Sequence, residues 1–225
     1  MAIERRLESA TVKPAARGGG QGTHLESAPS RSAALARKTR ETNIAIKLDL
    51  DGTGQSSIST GVPFLDHMLE SFARHGFFNL SVKAEGDLEI DDHHTVEDVG
   101  IVLGRAFNQA LGDRSGIKRF GSATVPLDEA LLSAVVDISG RPYLAYNVRI
   151  KQERVGRFQT VLVQDFMKAF ADQVAMNLHL DMHSGRNPHH IIEASFKALA
   201  RAMDQATGLE PRARGVALST KGTLS

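Results

Sequence analysis

The chain has 225 residues, of which 41% are hydrophobic and 24% charged, with a formal net charge of +1 and no cysteine. That balance is ordinary for a globular protein and supplies no broad basic field for nucleic acid, while the missing thiols exclude disulfides, thiolate metal sites and cysteine nucleophiles. Any metal must be held by histidine and carboxylate; an intracellular, cytoplasmic setting fits, no apolar run reaches the length of a membrane span, and the start lacks the apolar core of a secretory signal.

Residues 1–35 are rich in Gly, Ala, Ser and Arg, include Gly18, Gly19 and Gly20, and show no sustained apolar period, so they read as a disordered extension. Glu4, Glu8 and Glu26 argue against an organelle transit peptide, and the glycine run has neither the preceding strand nor the following Lys-Ser/Thr of a nucleotide loop. From Thr42 the alternation through Ile44, Ile46, Leu48 and Leu50 predicts a strand with one buried face, a turn at Asp51-Gly52 and a second strand. Phe64, Leu65, Met68, Leu69 and Phe72 predict a short amphipathic helix over 63–75, with Pro63 in its first turn. A strand at 79–84 and a long helix at 95–111, closed by Gly112, follow. Strand-like segments then return at 121–125, 130–138 and 143–150, followed by a helix at 159–176, a strand at 177–180 and a helix at 189–205.

The second run repeats the first. Leu69, Phe72, Asn79 and Leu80 fall on Met167, Phe170, Asn177 and Leu178 at one offset, two residues are lost in a loop, and His93, His94 and Glu97 then fall on His189, His190 and Glu193. The expected organisation is two related halves, 36–118 and 119–210, followed by a tail, 211–225.

Two copies of His-His-x-x-Glu at matched places point to metal. Adjacent histidines at a helix start point about 100° apart, whereas residues four apart share a face. His93 with Glu97, and His189 with Glu193, can each grip one ion, leaving His94 and His190 to reach another. His67 on the first short helix is the obvious further donor, and the repeat sets Asp165 opposite it. An exchange about a pseudo-twofold axis then predicts one site from His67, His93, Glu97 and His190 and another from His94, Asp165, His189 and Glu193. Imidazole and carboxylate without sulfur suit Mn²⁺, Fe²⁺, Co²⁺ or Zn²⁺, and an octahedral site with open positions favours Mn²⁺. His24 and His75 stay outside this set; His179 and His183 read as structural or surface residues. From the residues alone, a di-metal hydrolase and a non-catalytic protein whose ions staple subunits together would use the same ligands.

Ordered segments carry a resemblance over residues 37–222: Arg40-Glu41-Thr42, 49–54, 61–68, 91–98, Arg119-Phe120-Gly121, 126–130, 137–143, 187–201 and Ser219-Thr220-Lys221-Gly222. The chain resembles the imidazoleglycerol-phosphate dehydratase family. The resemblance implies an α/β (α+β) two-layer fold with internal duplication, each half a four-stranded sheet backed by two helices, of the ribosomal protein S5 domain 2-like type. It implies a hydro-lyase of histidine biosynthesis with two Mn²⁺ per active site. The substrate imidazole would bridge the ions as an imidazolate, expel the adjacent hydroxyl through a diazafulvene-like intermediate, and lose a neighbouring proton to give an enol and then imidazole-acetol phosphate. It also implies a shell of 24 subunits built from trimers, with sites between subunits and a small phosphorylated imidazole as the one ligand, without nucleic acid or membrane. By the same resemblance Glu41 is the catalytic acid/base, and Arg119, Arg141, Lys197, Ser219 and Lys221 hold the phosphate. The family commonly has histidine where this chain has Asp165, so aspartate either coordinates there or leaves the corner to water.

Overall fold

The protein is seen in a computed structural model that describes residues 31–224. The first half runs β1 (Ser32–Lys38), β2 (Thr42–Asp49), β3 (Ser56–Ser59), α1 (Pro63–Gly76), β4 (Asn79–Gly86) and α2 (His93–Leu111). The second runs β5 (Phe120–Leu127), β6 (Ala130–Asp137), β7 (Tyr143–Asn147), a small hairpin β8 (Arg154–Val155) and β9 (Phe158–Gln159), α3 (Leu162–Val174), β10 (Asn177–Ser184) and α4 (Pro188–Thr207). Sheet order is β1-β2-β4-β3 in one half and β5-β6-β10-β7 in the other. With the hairpin set aside these are the same order, and in both the last pairing alone is parallel. The duplication read from side-chain positions is therefore a duplication of topology.

Alternation decides which way each sheet faces. In β2 the side chains of Ile44, Ile46 and Leu48 are buried while Asn43, Ala45 and Lys47 are exposed, so a single apolar face is turned toward the helices. α2 covers β1 and β2, α4 covers β5 and β6, and the halves meet helix against helix, α2 on α3 and α1 on α4. The buried apolar residues of both halves form one continuous cluster. Phe170 joins them directly, with its ring 6.0 Å from Phe72 and 5.4 Å from Phe107. At roughly 1.5–3 kcal/mol per buried large apolar side chain, such a seam makes neither half independent of the other.

The α2–α3 crossing is close because α2 carries glycine there. A Cβ on Gly104 would sit 2.7 Å from the Phe170 carbonyl oxygen and one on Gly100 3.0 Å from that of Phe166. Gly104→Ala is expected to cost roughly 1–3 kcal/mol through overpacking, more than the ~1 kcal/mol of helix propensity that alanine returns. Thermal melting checks this, and an unchanged or higher Tm would contradict the packing account.

Several boundaries differ from expectation, each for a local reason. Residues 1–30 of the expected extension lie outside the described residues, but Ser32–Lys38 form β1. This edge strand is built from small residues of which Ala33 alone is fully buried, so it carried little alternation to read. α3 starts at Leu162 rather than 159, because Phe158 and Gln159 pair with Val155 and Arg154. β10 continues to Ser184, past the expected 180, on a bulged pairing with β6. Phe77 and Ala175, at equivalent places after α1 and α3, both adopt left-handed backbone, so the repeat extends to how its short helices stop.

Candidate metal centre and phosphate pocket

The helix starts that carry the histidines are set by their caps. Pro188 opens α4, and the Asn187 side chain accepts the His189 N–H at 3.0 Å; on α2 the Asp91 carboxylate accepts the His93 N–H at 2.8 Å. Each pair of adjacent histidines then diverges, with ring planes 74° apart for His93 and His94 and 79° apart for His189 and His190.

Because α1 packs on α4, His67 arrives beside His189 and Glu193. Glu193 Oε2 lies 3.1 Å from His189 Nε2 and 3.5 Å from His67 Nε2. One donor atom from each of the three falls within 4.8 Å of the others. Adjacent donors around an ion with metal–ligand distances near 2.1 Å lie roughly 3.0 Å apart, so this group has the chemistry and nearly the spacing of one face of a coordination sphere. The other carboxylate oxygen, Oε1, accepts from Lys197 Nζ at 2.8 Å. Burial works to raise the Glu193 carboxyl, but the Lys197 bond and charge, with His67 and His189, outweigh it and hold the group below its ordinary value.

The symmetry-related trio forms where α2 packs on α3. His93 Nε2 is 3.5 Å from Glu97 Oε2, and its Nδ1 is 3.6 Å from Asp165 Oδ2. The two carboxylates thus face opposite nitrogens of one ring, and no single atom of His93 addresses both. This trio is less converged than its counterpart on α4.

The expected exchange of second histidines is corrected within the chain. His67 joins His189 and Glu193, and Asp165 joins His93 and Glu97, because each short helix packs on the long helix of the opposite half. His94 and His190 turn instead toward the hairpins of their own halves. Asp87 Oδ2 lies 3.0 Å from His94 Nδ1 and Glu129 Oε2 2.8 Å from His190 Nδ1. The Asp87 bond, then the Glu41 and Asp87 charges, raise the His94 pKa against the effect of burial. A carboxylate on Nδ1 fixes ring and tautomer and leaves Nε2 outward as a ligand atom. The sequence reading missed Asp87 and Glu129. Glu129 had a readable signal, since it precedes β6 as Glu41 precedes β2.

These two glutamates differ. Glu129 accepts from His190 and from the N–H groups of Asn187 at 2.7 Å and Arg186 at 3.2 Å, and the first two hold its carboxyl down to about 2. The Glu41 carboxylate is half-exposed and makes, among the described residues, one ion-pair contact, 4.0 Å from His94 Nε2.

At the end of the second sheet Arg119, Ser139, Arg141, Ser219 and Lys221 line an open pocket of about 610 Å³. Arg119 pairs with Asp137 through two bonds and donates through its third nitrogen to the Leu218 carbonyl at 2.7 Å. Buried Arg114 holds the Leu224 carbonyl at 2.5 Å. The tail expected at 211–225 is thereby fastened on both sides of Ser219 and Lys221. Lys197, expected at the phosphate, does not line this pocket and sits on Glu193 instead. His183 bonds Ser133 at 2.6 Å on the outer face of the sheet, and the His179 ring lies 6.0 Å from Tyr143, so both stand apart from these groups. His24 lies outside the described residues.

A duplicated α/β scaffold with two imidazole–carboxylate groups and a separate basic pocket has nitrogen and oxygen donors suited to a metal and side chains suited to an anion, the equipment of an enzyme acting on small charged molecules. The family model described as imidazoleglycerol-phosphate dehydratase matches residues 60–203. A protein of that name from Pelobacter propionicus is 60% identical over 195 residues, covering 87% of this chain and all of that protein. One from Gluconacetobacter diazotrophicus is 57% identical over the same share of the chain and 98% of its own length. Among solved structures, the imidazoleglycerol-phosphate dehydratase of Staphylococcus aureus is similar at a TM-score of 0.73 and 39% identity, covering 80% of this chain and 99% of that one. The Pyrococcus furiosus protein, solved in complex with (S)-C348, matches at 0.73 and 36%, covering 84% and 100%. The chain belongs to the imidazoleglycerol-phosphate dehydratase family, and is a hydro-lyase. Among the described residues no helix is long and apolar enough to cross a membrane.

Proposed function

We propose that this chain removes water from imidazoleglycerol phosphate to give imidazole-acetol phosphate in histidine biosynthesis, using two Mn²⁺ per active site, in a cytoplasmic 24-subunit assembly built from trimers. The observation that carries the reading is the convergence of His67, His189 and Glu193, with its related trio His93, Glu97 and Asp165 and an exposed glutamate, Glu41, 4.0 Å from His94.

His67, His189 and Glu193 would hold one ion and His93, Glu97 and Asp165 the other. Each trio falls short of a filled octahedral sphere. His94 and His190, with Nδ1 already engaged and Nε2 outward, suit the remaining positions on ions held by neighbouring copies, which supports sites between subunits. When bound, the ions supply positive charge that lowers the N–H pKa of the substrate imidazole, grips the ring, and eases departure of the neighbouring hydroxyl.

The chain's own groups do the rest. Arg119, Arg141, Ser219 and Lys221 bind the phosphate, with two N–H groups of Arg119 still open beyond those given to Asp137 and Leu218. Glu41 moves the proton: the C–H on the carbon next to the departing hydroxyl gives up its proton, the C–O bond breaks with loss of water, and the resulting enol becomes the ketone. Lys197 holds one oxygen of Glu193 so that the other faces the histidines, a role that replaces direct phosphate binding within the chain.

The direct test is incubation of the purified protein with imidazoleglycerol phosphate and Mn²⁺. The ketone is expected; its absence, together with cleavage of a phosphoester or amide, would favour the hydrolase reading. Arg119→Ala should lower kcat/KM by roughly 10–100-fold through lost charge-assisted bonds while the assembly size is unchanged. A pure scaffold would have no turnover to lose.

A further inference from the structure

We propose that Asp98 is a positioning residue for Glu41, fixing from within α2 the turn that presents the glutamate; this rests on the reading of Glu41 as the proton-carrying group. Asp98 lies one helical turn after His94 and is 7% exposed. A carboxylate so buried needs partners for its charge. They come from the two strands that flank the β1–β2 turn: Thr42 Oγ1 donates to Oδ2 at 2.5 Å, and Arg37 lies 2.5 Å from the same oxygen.

Between these two anchors the turn itself is tied. Thr39 Oγ1 accepts the N–H of Glu41 at 3.1 Å and that of Thr42 at 2.9 Å. The Glu41 carbonyl accepts the N–H of Asp87 at 3.1 Å, and Asp87 is the residue that orients His94. The backbone on either side of Glu41 is thus fixed relative to His94, while its side chain remains 54% exposed.

The repeat supplies an internal control. The positions equivalent to Asp98 and Thr42 are Ala194 and Ala130, so the second half has no such clamp. There the equivalent glutamate, Glu129, is itself the fastener, its carboxylate committed to His190, Arg186 and Asn187. A carboxylate that must gain and lose a proton cannot also be the knot that ties its own loop. In the first half the tying has passed to Asp98, and Glu41 is left free to react.

Thr42→Val, which removes one hydroxyl and keeps the side-chain shape, tests this in the metal-loaded enzyme, alone and combined with Glu41→Gln. Alone it should lower kcat by about 10-fold, within the range that a small misplacement of a reacting group produces, with KM within about twofold and bound metal unchanged. In the Glu41→Gln background it should add no further loss, which a general structural defect would not reproduce. Amide exchange over residues 39–42 should quicken at least tenfold while residues 96–107 hold, a readout that stands even where the double variant turns over too slowly to measure. Wild-type kcat in Thr42→Val, an equal loss in both backgrounds, unaltered exchange at 39–42, or loss of metal would overturn the positioning role. Full turnover in Glu41→Gln alone would instead overturn the acid/base reading and this inference with it.

Discussion

Glu41→Gln is expected to lower kcat by roughly 10²–10⁴-fold, the range for loss of a positioned acid/base group, and to leave KM and metal content close to those of the unaltered enzyme. Duplication provides two glutamates in equivalent places, and their surroundings separate their tasks. Glu129 is fastened by three hydrogen bonds, which hold its carboxyl down to about 2, far from the range suited to trading protons near neutrality. Glu41 has no such fastening and stands 4.0 Å from His94 Nε2. Glu129→Gln should therefore act differently, loosening the ring of His190 and lowering metal affinity, an effect of roughly 10–100-fold for a group that orients a ligand. Steady-state kinetics with metal analysis distinguishes the two. If Glu129→Gln loses turnover with its metal intact while Glu41→Gln stays active, the roles are reversed.

His189→Ala should have the larger effect on metal, with bound Mn²⁺ falling from two per chain toward one and turnover falling at least as far as for loss of an outer partner, roughly 10–100-fold or more. The imidazole stands 3.1 Å from Glu193 Oε2, and Glu193 is itself pinned through Oε1 to Lys197. Removing the histidine leaves the chain only a carboxylate and His67 to offer, with at most the second histidines of neighbouring copies beside them, too few donors for a strong octahedral site. His183→Ala, on the outer face of the sheet and bonded to Ser133, should leave metal content unchanged. Equal metal loss in both variants would mean that the effect comes from the fold rather than from coordination.

Much of the fold was legible because its signals are local or periodic. The buried face of β2, the proline-opened α1, and the two His-His-x-x-Glu helix starts follow from spacing alone. β1 was not legible, since its small residues carry too little alternation at a sheet edge to stand out. The grouping of ligands escaped for a different reason. Symmetry reasoning can pair related residues, but whether His67 meets His93 or His189 depends on which long helix its own helix packs against, a tertiary choice that no window of sequence contains. Lys197 shows the same limit. Its place one turn beyond Glu193 on a predicted helix was readable, and the structure adds that it is bonded to that carboxylate and stands away from the Arg119 pocket. Asp87 and Asp98 were hidden for the opposite reason: single carboxylates carry no pattern, and their roles appear once the hairpin and helix they join are in place.

The most direct test is a titration of metal-stripped protein with Mn²⁺ while the ketone product of imidazoleglycerol phosphate is followed. Turnover should be absent at the start and reach its plateau at two ions per chain. A stripped protein that still forms the ketone, or a plateau at a single ion, would contradict the paired histidine–carboxylate centre.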